Sequence, residues 1–195
     1  MKYWKMYRIG ILILSLIYVT SAAHHKAIAV LENKEQGIYG KVTFEETDHG
    51  ILIQGEIKGL KEGKHGFHIH EKGDISDAKC ASAGGHFNPF NKTHGPPDDS
   101  NRHVGDLGNI DSNGIVAQFN FFDNMISLSG NTSIIGRSVV IHENPDDMGR
   151  GGFEDSTANG HAGARIVCAI IKNGSSSYAA SLTLLFSMIL VLLIH

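Results

Sequence analysis

Between residues 24 and 172 the chain consists of short runs of β-branched or alternating apolar residues, and this pattern limits the fold more than any other feature. The runs read AIAVLE, GIYGKVTFEE, GILIQGEIKGL, IVAQFNF, SVVIHE and ARIVCAII. Gly, Asn and Asp separate them, and Asn113-Gly114 before an apolar run is typical of a hairpin turn. No long helical periodicity appears in this part of the sequence. The pattern predicts an all-β sandwich or barrel.

Two long segments, Glu71–Asn109 and Glu143–Ala164, interrupt the strand pattern and are rich in Gly, Asn, Asp and His. Loops of this length are uncommon inside a compact domain unless they are functional or are held by other interactions. We therefore expect two long functional loops, the first of them held by a disulfide and a metal ion.

The first 23 residues differ in character from the rest of the chain. Residues 1–23 have a basic start, an apolar stretch over residues 9–19, and small residues at Ser21 and Ala23. These features are typical of a secretory signal peptide, and a buried or membrane-anchoring helix is the alternative.

The last residues, 173–195, pass from a small polar stretch into an uncharged apolar tail. The tail is slightly short for a spanning helix and lacks a basic flank. A glycosylphosphatidylinositol (GPI) attachment signal therefore explains it better than a transmembrane tail does. The folded domain is expected to cover residues 24–172.

The charge balance bears on the partners of the protein. The whole chain carries 17 Lys and Arg against 20 Asp and Glu, a formal net charge of −3. Residues 1–23 contain three of the basic residues and none of the acidic ones, so the secreted part is more acidic still. An acidic protein is a poor match for the phosphates of nucleic acid. An anionic substrate would need positive charge focused at one place.

The chain has two cysteines, Cys80 and Cys168. In a secreted protein a disulfide between them is the expected state, and two free thiols are the alternative. Sequons at Asn91, Asn131 and Asn173 agree with secretion, and Asn91 and Asn131 are candidate glycosylation sites.

Three histidines occur within the stretch HGFHIHEKGD. Successive side chains of a strand point to opposite faces, so His68 and His70 share a face and His65 does not. Such a pair alone is more often satisfied or solvent-facing than bound to metal. His142 ends the strand-like run SVVIHE and would complete an imidazole-only site with His68 and His70.

The segment GGHFNPFNKTHGPPDDSNRHVGD adds a second set of candidate ligands from one loop. Three imidazoles and one carboxylate make up this set: His86, His94, His103 and Asp106. Such a closed tetrahedral set suits structural zinc. A polar loop with scattered histidines is the alternative, and it would leave the loop with few means of ordering itself.

Ligand type alone does not choose the metal of the imidazole-only site, because imidazole suits copper, zinc, iron and nickel. A blue-copper site would need a Cys thiolate, and both cysteines are better used in the disulfide. A three-histidine zinc hydrolase of the carbonic-anhydrase type has a similar ligand pattern, but it leaves the second ligand set without a role.

Four segments together resemble the copper-zinc superoxide dismutase family: GFHIHEKGD, HFNPFNKTHGPPDDSNRHVGDLGN, IIGRSVVIHENPDDMGRGG and GHAGARIVCAI. The resemblance covers Lys26–Lys172, and the two chain ends suit an extracellular, surface-tethered member. It implies a Greek-key β-sandwich or barrel of about eight antiparallel strands. It also implies an antioxidant enzyme that converts superoxide to O2 and H2O2 by alternate reduction and oxidation of copper, with one copper and one zinc ion in each subunit of a homodimer.

Carried over position by position, the resemblance gives copper to His68, His70, His86 and His142, and zinc to His86, His94, His103 and Asp106, with His86 as the bridging imidazolate. Asp146 corresponds to the carboxylate that joins a copper histidine to a zinc histidine. Arg165 corresponds to the arginine that docks superoxide, so Arg165 and His86 are the expected catalytic residues. His65 corresponds to a histidine that packs near the site without binding metal.

Four positions depart from the residues that are usual in the family. Asn144 and Ala158 stand where members often carry lysines, which predicts weaker electrostatic steering of superoxide. Lys72 stands where a large apolar residue is common near the dimer contact, and it would weaken a homodimer. His161 stands where members often have Asn.

Two other interpretations compete with the enzyme. A surface-anchored β-sandwich that binds copper and zinc could buffer metal or adhere to a partner without turnover, but a metal buffer would not require Arg165. The dismutase-like domain of a copper chaperone would bring a further metal-binding domain and Cys-x-Cys-type signals, which this sequence lacks. We expect a protein outside the cell, secreted or tethered, that contacts the membrane only through its tail or a lipid anchor.

Overall fold

The computed structural model describes residues 25–174, and the strands in this part of the chain form two antiparallel sheets. The nine strands within these residues are β1 (Lys26–Asn33), β2 (Ile38–Thr47), β3 (Gly50–Lys58), β4 (Gly63–His70), β5 (Asp106–Ser112), β6 (Val116–Asp123), β7 (Ser138–His142), β8 (Arg165–Ile170) and β9 (Lys172–Asn173). A four-residue helix, α1 (Ser156–Asn159), and two 3₁₀ turns, Ala81–Ala83 and Gly130–Thr132, lie in the connections.

The chain crosses between the two sheets four times, the last time from β8 to β9. One sheet has the strand order β6-β3-β2-β1-β9 and the other has the order β5-β4-β7-β8. After β3 the chain enters the second sheet as β4 and β5, returns beside β3 as β6, and enters the second sheet again beside β4 as β7. The prediction of an all-β Greek-key sandwich is therefore confirmed.

The core lies between the sheets and is filled by the alternate residues of each strand. In β4 the inward side chains are Phe67 and Ile69, both fully buried. The ring of Phe67 packs against those of Phe119 and Phe121 of β6, at centroid distances of 5.3 and 6.4 Å. Burial of each such side chain stabilises the fold by about 1.5–3 kcal/mol. Because Phe67 and Ile69 point inward, the residue between them and the residue after them point to the opposite face of the sheet.

Two long connections lie next to the four-stranded sheet: residues 71–105 between β4 and β5, and residues 143–164 between β7 and β8. The first was predicted to reach Asn109, which is wrong, because β5 begins at Asp106 and its residues pair with β4. Gly and Asp are depleted in strands, so GDLGN carries no strand signal of its own, and the pairing with β4 decides its conformation.

A tight turn follows β5, as Asn113-Gly114 predicts. The side chain of Asn113 accepts the backbone N–H groups of Ile115 and Val116, at 3.0 and 2.9 Å. The two strands that the turn joins lie in different sheets, so the turn was predicted correctly but does not form a hairpin within one sheet.

The disulfide between Cys80 and Cys168 ties the first long connection to β8. The Cα atoms of the two residues are 6.1 Å apart, and 88 residues of chain separate them. The predicted disulfide is confirmed, and no free cysteine remains within the described residues. On the chain-entropy account, closing a loop of this length stabilises the fold by about 4–5 kcal/mol.

A buried ion pair holds the other end of the same connection. Arg102 is 1% exposed, and one of its terminal nitrogens donates to the carbonyl oxygens of Val104 and Asp106, at 3.4 and 2.9 Å. The other terminal nitrogen donates to the carboxylate of Asp123, at the end of β6. The guanidinium therefore fastens the backbone just before β5 to the neighbouring sheet.

The predicted signal peptide, residues 1–23, lies outside the described residues, and so do residues 175–195 of the predicted tail. Across residues 25–174, no helix is long and apolar enough to cross a membrane.

We predict that Arg102→Met lowers the free energy of unfolding by about 3–5 kcal/mol, because it leaves the carboxylate of Asp123 buried without its partner. Urea denaturation of the disulfide-bonded protein measures the change. The double variant Arg102→Met/Asp123→Leu removes both charges and is expected to recover part of the loss. A loss below 1 kcal/mol in the single variant would show that the pair does not hold the connection.

Candidate metal centre

Two neighbouring strands of the second sheet present histidines to the face opposite the core. His68 and His70 project from this face of β4, and His142 ends β7, which pairs with β4 in antiparallel register. His86 reaches the same place from the first long connection, where its backbone forms a bridge to that of His70. These four imidazoles are all buried, and we call them the four-histidine cluster.

The four-histidine cluster offers one nitrogen from each ring within 4.8 Å of the others. The second nitrogen of three of these rings has a partner of its own. His68 Nε2–H donates to Asp146 Oδ2 at 2.9 Å, and His70 Nδ1–H donates to the Gly84 carbonyl at 2.9 Å. His142 Nδ1 lies 3.3 Å from the Gly163 carbonyl. These bonds fix the tautomers so that the other nitrogens are free to accept a metal.

A second cluster, of three histidines and one aspartate, adjoins the first: His86, His94, His103 and Asp106. Around Asp106 Oδ1, the Nδ1 atoms of His86, His94 and His103 lie at 2.7, 2.9 and 3.1 Å. A tetrahedral metal with bonds of about 2.0 Å requires its ligands to lie about 3.3 Å apart. The distance of 3.4 Å between the Nδ1 atoms of His86 and His103 matches this value, and the contacts to Asp106 Oδ1 are slightly shorter, so a small outward shift of the carboxylate fits the second cluster to a zinc ion.

The two oxygens of the Asp106 carboxylate have different partners. Its Oδ2 accepts the backbone N–H groups of His103 and Gly95, at 2.9 and 3.1 Å. Its Oδ1 is left facing the three imidazoles. Because the backbone contacts use only one oxygen, Asp106 offers the other as a ligand while its orientation stays fixed.

His86 belongs to both clusters. Its Nδ1 faces Asp106, and its buried Nε2 has no hydrogen-bond partner among the described residues. His68 Nδ1 and His94 Nδ1 are likewise buried without hydrogen bonds in this part of the chain. Buried polar atoms are rarely left without a partner, and three of them at one place fit a pair of metal ions.

Asp146 connects the two clusters from outside. Its Oδ2 accepts His68 Nε2–H at 2.9 Å, and its Oδ1 accepts His94 Nε2–H at 2.8 Å. The carboxylate is fully enclosed and is positioned by Asn109, whose side-chain oxygen accepts the Asp146 N–H at 2.7 Å. One carboxylate therefore orients a ring of each cluster.

Burial sets the protonation of the four-histidine cluster. It lowers the pKa of His68, His70 and His86, and it lowers the pKa of His142 to about 4. The imidazoles are therefore neutral at pH 7, as metal ligands must be. In the second cluster burial opposes the charge of His94, but the neighbouring carboxylates of Asp106 and Asp146 raise its pKa to about 9.

Arg165 lies at the edge of a cavity of about 360 Å³ above the four-histidine cluster. His70, His86 and His142 line this cavity, together with Ala158 and Asn159 of α1 and with Gly85. Within the described residues, these three histidines lie close to a guanidinium only at this cavity. The cavity is large enough to admit a small anion.

Backbone carbonyls hold the Arg165 guanidinium in place. It donates to the oxygens of Cys80 and Gly84 at 2.7 Å each. Gly84 O also accepts His70 Nδ1–H, so a single carbonyl orients a candidate ligand and the guanidinium. An arginine has five N–H donors, and those not used by these carbonyls remain for a substrate.

His65 lies apart from both clusters, as strand parity predicts. Its Nδ1 is 2.8 Å from the His142 carbonyl and its Nε2 is 3.1 Å from the Lys61 carbonyl. Both ring nitrogens therefore face backbone carbonyls, to one of which a neutral ring donates, and His65 packs beneath His142. Sequence reasoning missed the Gly84 carbonyl and the Arg102 ion pair, because neither a carbonyl acceptor nor a buried arginine has a side-chain signature.

The fold is a Greek-key β-sandwich, and its two adjoining ligand sets share the imidazole of His86. The four-histidine cluster opens to a cavity, whereas the second cluster is closed. These features define a class of proteins that hold two metal ions. The chain belongs to the copper/zinc superoxide dismutase family, since the model of that family, copper/zinc superoxide dismutase (SODC), matches residues 38–171. The resemblance seen in the sequence is thereby confirmed, and copper and zinc are the metals of this family.

Three curated relatives agree with this assignment. The chain is 53% identical to Cu-Zn superoxide dismutase 5 of Dictyostelium discoideum over 148 residues, covering 74% of this chain and 95% of the relative. It is 52% identical to Cu-Zn superoxide dismutase A of Xenopus laevis over 147 residues, covering 75% and 96%. It is 47% identical to the extracellular Cu-Zn superoxide dismutase of Caenorhabditis elegans over 169 residues, covering 83% and 76%.

A solved structure shows the same architecture. The crystal structure of the clock protein EA4 aligns with a TM-score of 0.72 and 48% sequence identity, covering 75% of this chain and 93% of that chain.

We predict that the metal-free protein loses stability as the pH falls from about 6.5 to about 4. The unfolded chain has histidine pKa values near 6.5, and burial lowers those of the four-histidine cluster, so the unfolded state binds more protons in this range. For His142 alone, with a folded pKa of about 4, the loss amounts to about 3 kcal/mol. His94 has the opposite sign, and its contribution is lost as the pH rises through about 9.

Urea denaturation of the metal-free protein between pH 4.5 and about 8 measures this dependence. His142→Gln is the matched control, because it removes one buried titrating ring and should flatten the curve. A free energy of unfolding that stays level or rises on acidification would contradict the neutral state of the buried rings.

Proposed function

We propose that this protein is an extracellular superoxide dismutase that uses copper and zinc to convert superoxide to O2 and H2O2. The observation that carries the proposal is the position of Arg165: a guanidinium held by carbonyls lines the cavity into which the four-histidine cluster opens. Membership of the copper/zinc superoxide dismutase family and three relatives of that name support it.

The two clusters differ in the metal that each would hold. Three imidazoles and a carboxylate at tetrahedral spacing suit zinc at His86, His94, His103 and Asp106. Four imidazoles with an opening to solvent suit copper at His68, His70, His86 and His142. In this assignment His86 would serve both ions, because its Nδ1 faces Asp106 and its Nε2 is buried without a hydrogen bond among the described residues.

Copper held by the four-histidine cluster would supply one-electron chemistry, by which one superoxide ion would be oxidised to O2 and a second, with two protons, reduced to H2O2. Arg165 binds and orients the anion with the N–H groups that its carbonyl partners leave free. His86 Nε2 can hold a proton and pass it to the product, because its Nδ1 stays with the second cluster. Asp146 keeps the His68 and His94 rings in the orientation that both clusters need.

A metal-binding module without turnover is the alternative function. It would need both clusters but would have no use for a guanidinium at the cavity. The half-buried, carbonyl-bound state of Arg165 favours the enzyme, because a solvated arginine would suffice in a metal buffer.

The proposed location is outside the cell. The relative from Caenorhabditis elegans is named an extracellular enzyme, and the disulfide between Cys80 and Cys168 suits an oxidising compartment. Asn91 and Asn131 are exposed and remain candidate glycosylation sites.

We further propose a signal peptide over residues 1–23 and a GPI attachment signal from residue 173. Release from cells by a phosphoinositide-specific phospholipase separates a lipid anchor from a transmembrane tail.

We also propose that the protein forms a homodimer. Ile75 is 39% exposed, and the partly buried Ile135 and Ile170 lie near the backbone contact between Gly73 and Gly136, so apolar surface is available at this place. The exposed Lys72 precedes Gly73 and would place a charge at the edge of such a contact. The dimer is therefore expected to be weaker than one with an apolar residue at this position.

We predict that Arg165→Ala lowers the rate constant for superoxide consumption about 10-fold or more, because it removes the positive charge and the donors at the cavity. Pulse radiolysis of the metal-loaded protein measures the rate, and copper and zinc are counted in the same sample. Lys34→Ala removes one charge from an exposed side chain and serves as the control. Bound metal with no superoxide turnover in the unsubstituted protein would refute the enzyme and favour the metal-binding module.

We predict weak electrostatic steering, because Ala158 lines the cavity and Asn144 lies exposed beside Gly163, so neither contributes a cation. The rate constant should therefore fall only slightly with added salt. Ala158→Lys should raise the rate at low salt and steepen the salt dependence, since charges farther apart than about 10 Å are screened at 0.1 M. Gln36→Lys adds the same charge in the β1–β2 turn, and it should neither raise the rate at low salt nor steepen the salt dependence. A steep salt dependence in the unsubstituted protein would contradict this account.

A further inference from the structure

Asp77 is a carboxylate that accepts three backbone N–H groups within the first long connection. Its Oδ1 accepts the N–H groups of Lys79 and Ala81 at 2.9 Å each, and its Oδ2 accepts the N–H of Ser82. The residue is half-buried, and it forms no ion pair with a lysine or arginine within the described residues. These contacts lower the pKa of Asp77, so it is a carboxylate at any physiological pH.

The same peptide groups that donate to Asp77 accept from Arg165 on their other side. The peptide that joins Cys80 to Ala81 donates its N–H to Asp77 and accepts Arg165 Nη1 through its carbonyl at 2.7 Å. The next peptide donates the N–H of Ser82 to Asp77 and presents the carbonyl of Ala81 to Arg165 Nη1 at 3.4 Å. In a trans peptide the N–H and C=O groups point in opposite directions. Two consecutive peptides are therefore held between a carboxylate and a guanidinium.

This arrangement strengthens the carbonyls that hold Arg165. A peptide whose N–H donates to an anion becomes a better acceptor at its oxygen, because chains of hydrogen bonds polarise one another. The carboxylate also restrains the turn Ala81–Ala83 from within, whereas the disulfide at Cys80 restrains it only from outside. Burial lowers the pKa of Arg165, and the charge of Asp77 opposes this change.

We propose that Asp77 is a positioning residue for Arg165, which fixes the guanidinium through the peptides of residues 80–82 and so sets the affinity of the cavity for a small anion. The inference rests on the proposed function only in taking Arg165 as the group that receives the anion. Asp77 does not touch the substrate, and its effect passes entirely through Arg165.

Azide binding to the copper- and zinc-loaded protein tests this inference, with the visible absorption of copper as the signal. Asp77→Ala removes all three acceptor contacts and should raise the azide dissociation constant about 3- to 10-fold, the loss expected of one hydrogen bond. Asp77→Asn keeps the oxygen that accepts Lys79 and Ala81 and should give a smaller increase. Asp74→Ala removes a carboxylate of the same segment that accepts the N–H of Ser76 instead, and should leave the constant unchanged.

A double-variant cycle with Arg165→Ala separates positioning from a general loosening of the fold. In the Arg165→Ala background, Asp77→Ala should have no further effect on azide binding. The inference is overturned if Asp77→Ala and Asp77→Asn leave azide binding unchanged, or if the effect of Asp77→Ala persists without Arg165. Azide binding requires no turnover, so a protein that binds azide as expected but does not consume superoxide would refute the proposed function and leave the positioning role intact.

Discussion

The alternation of side chains along β4 serves the core and the metal centre at the same time. Phe67 and Ile69 point between the sheets and are fully buried. His68 and His70 point to the opposite face and meet His142 of the neighbouring strand there. A shift of one residue in the pairing of β4 would exchange the two sets and place imidazoles in the core. The packing that stabilises the sandwich therefore also fixes the geometry of three candidate ligands.

Three ligands of the second cluster lie on backbone without regular secondary structure, and polar contacts hold this backbone in place. Arg102 binds the backbone before β5, and Asp146 binds a ring from each cluster. The Gly84 carbonyl accepts from both His70 and Arg165. Arg102 and Asp146 are buried, so each bond that they left unmade would cost the desolvation of its partner. The long connections are consequently ordered by the same groups that orient the ligands.

Sequence reasoning was strongest where one period or one residue type carries the information. The alternation of apolar residues predicted the sandwich, and strand parity separated His68 and His70 from His65. Sequence reasoning was weakest where contacts between residues far apart in the sequence decide the structure. The start of β5 at Asp106 was missed, since GDLGN is a poor strand sequence that becomes a strand by pairing with β4.

The shared position of His86 was not derivable from residue spacing, and it came from the resemblance to the family. Its two nitrogens face different partners only after the chain has folded. The role of the Gly84 carbonyl and that of Asp77 had no signal in the sequence, because one is a backbone atom and the other acts through backbone. Sequence patterns predict side-chain ligands well, but they do not reveal the backbone carbonyls and peptide groups that position those ligands.

The central claim is that two metal ions share His86. A crystal structure of the copper- and zinc-loaded protein, with anomalous diffraction measured at both absorption edges, tests it most directly. The account predicts a copper peak beside His86 Nε2, among His68, His70 and His142, and a separate zinc peak beside His86 Nδ1. A single peak, or two peaks of which one lies away from His86, would contradict it.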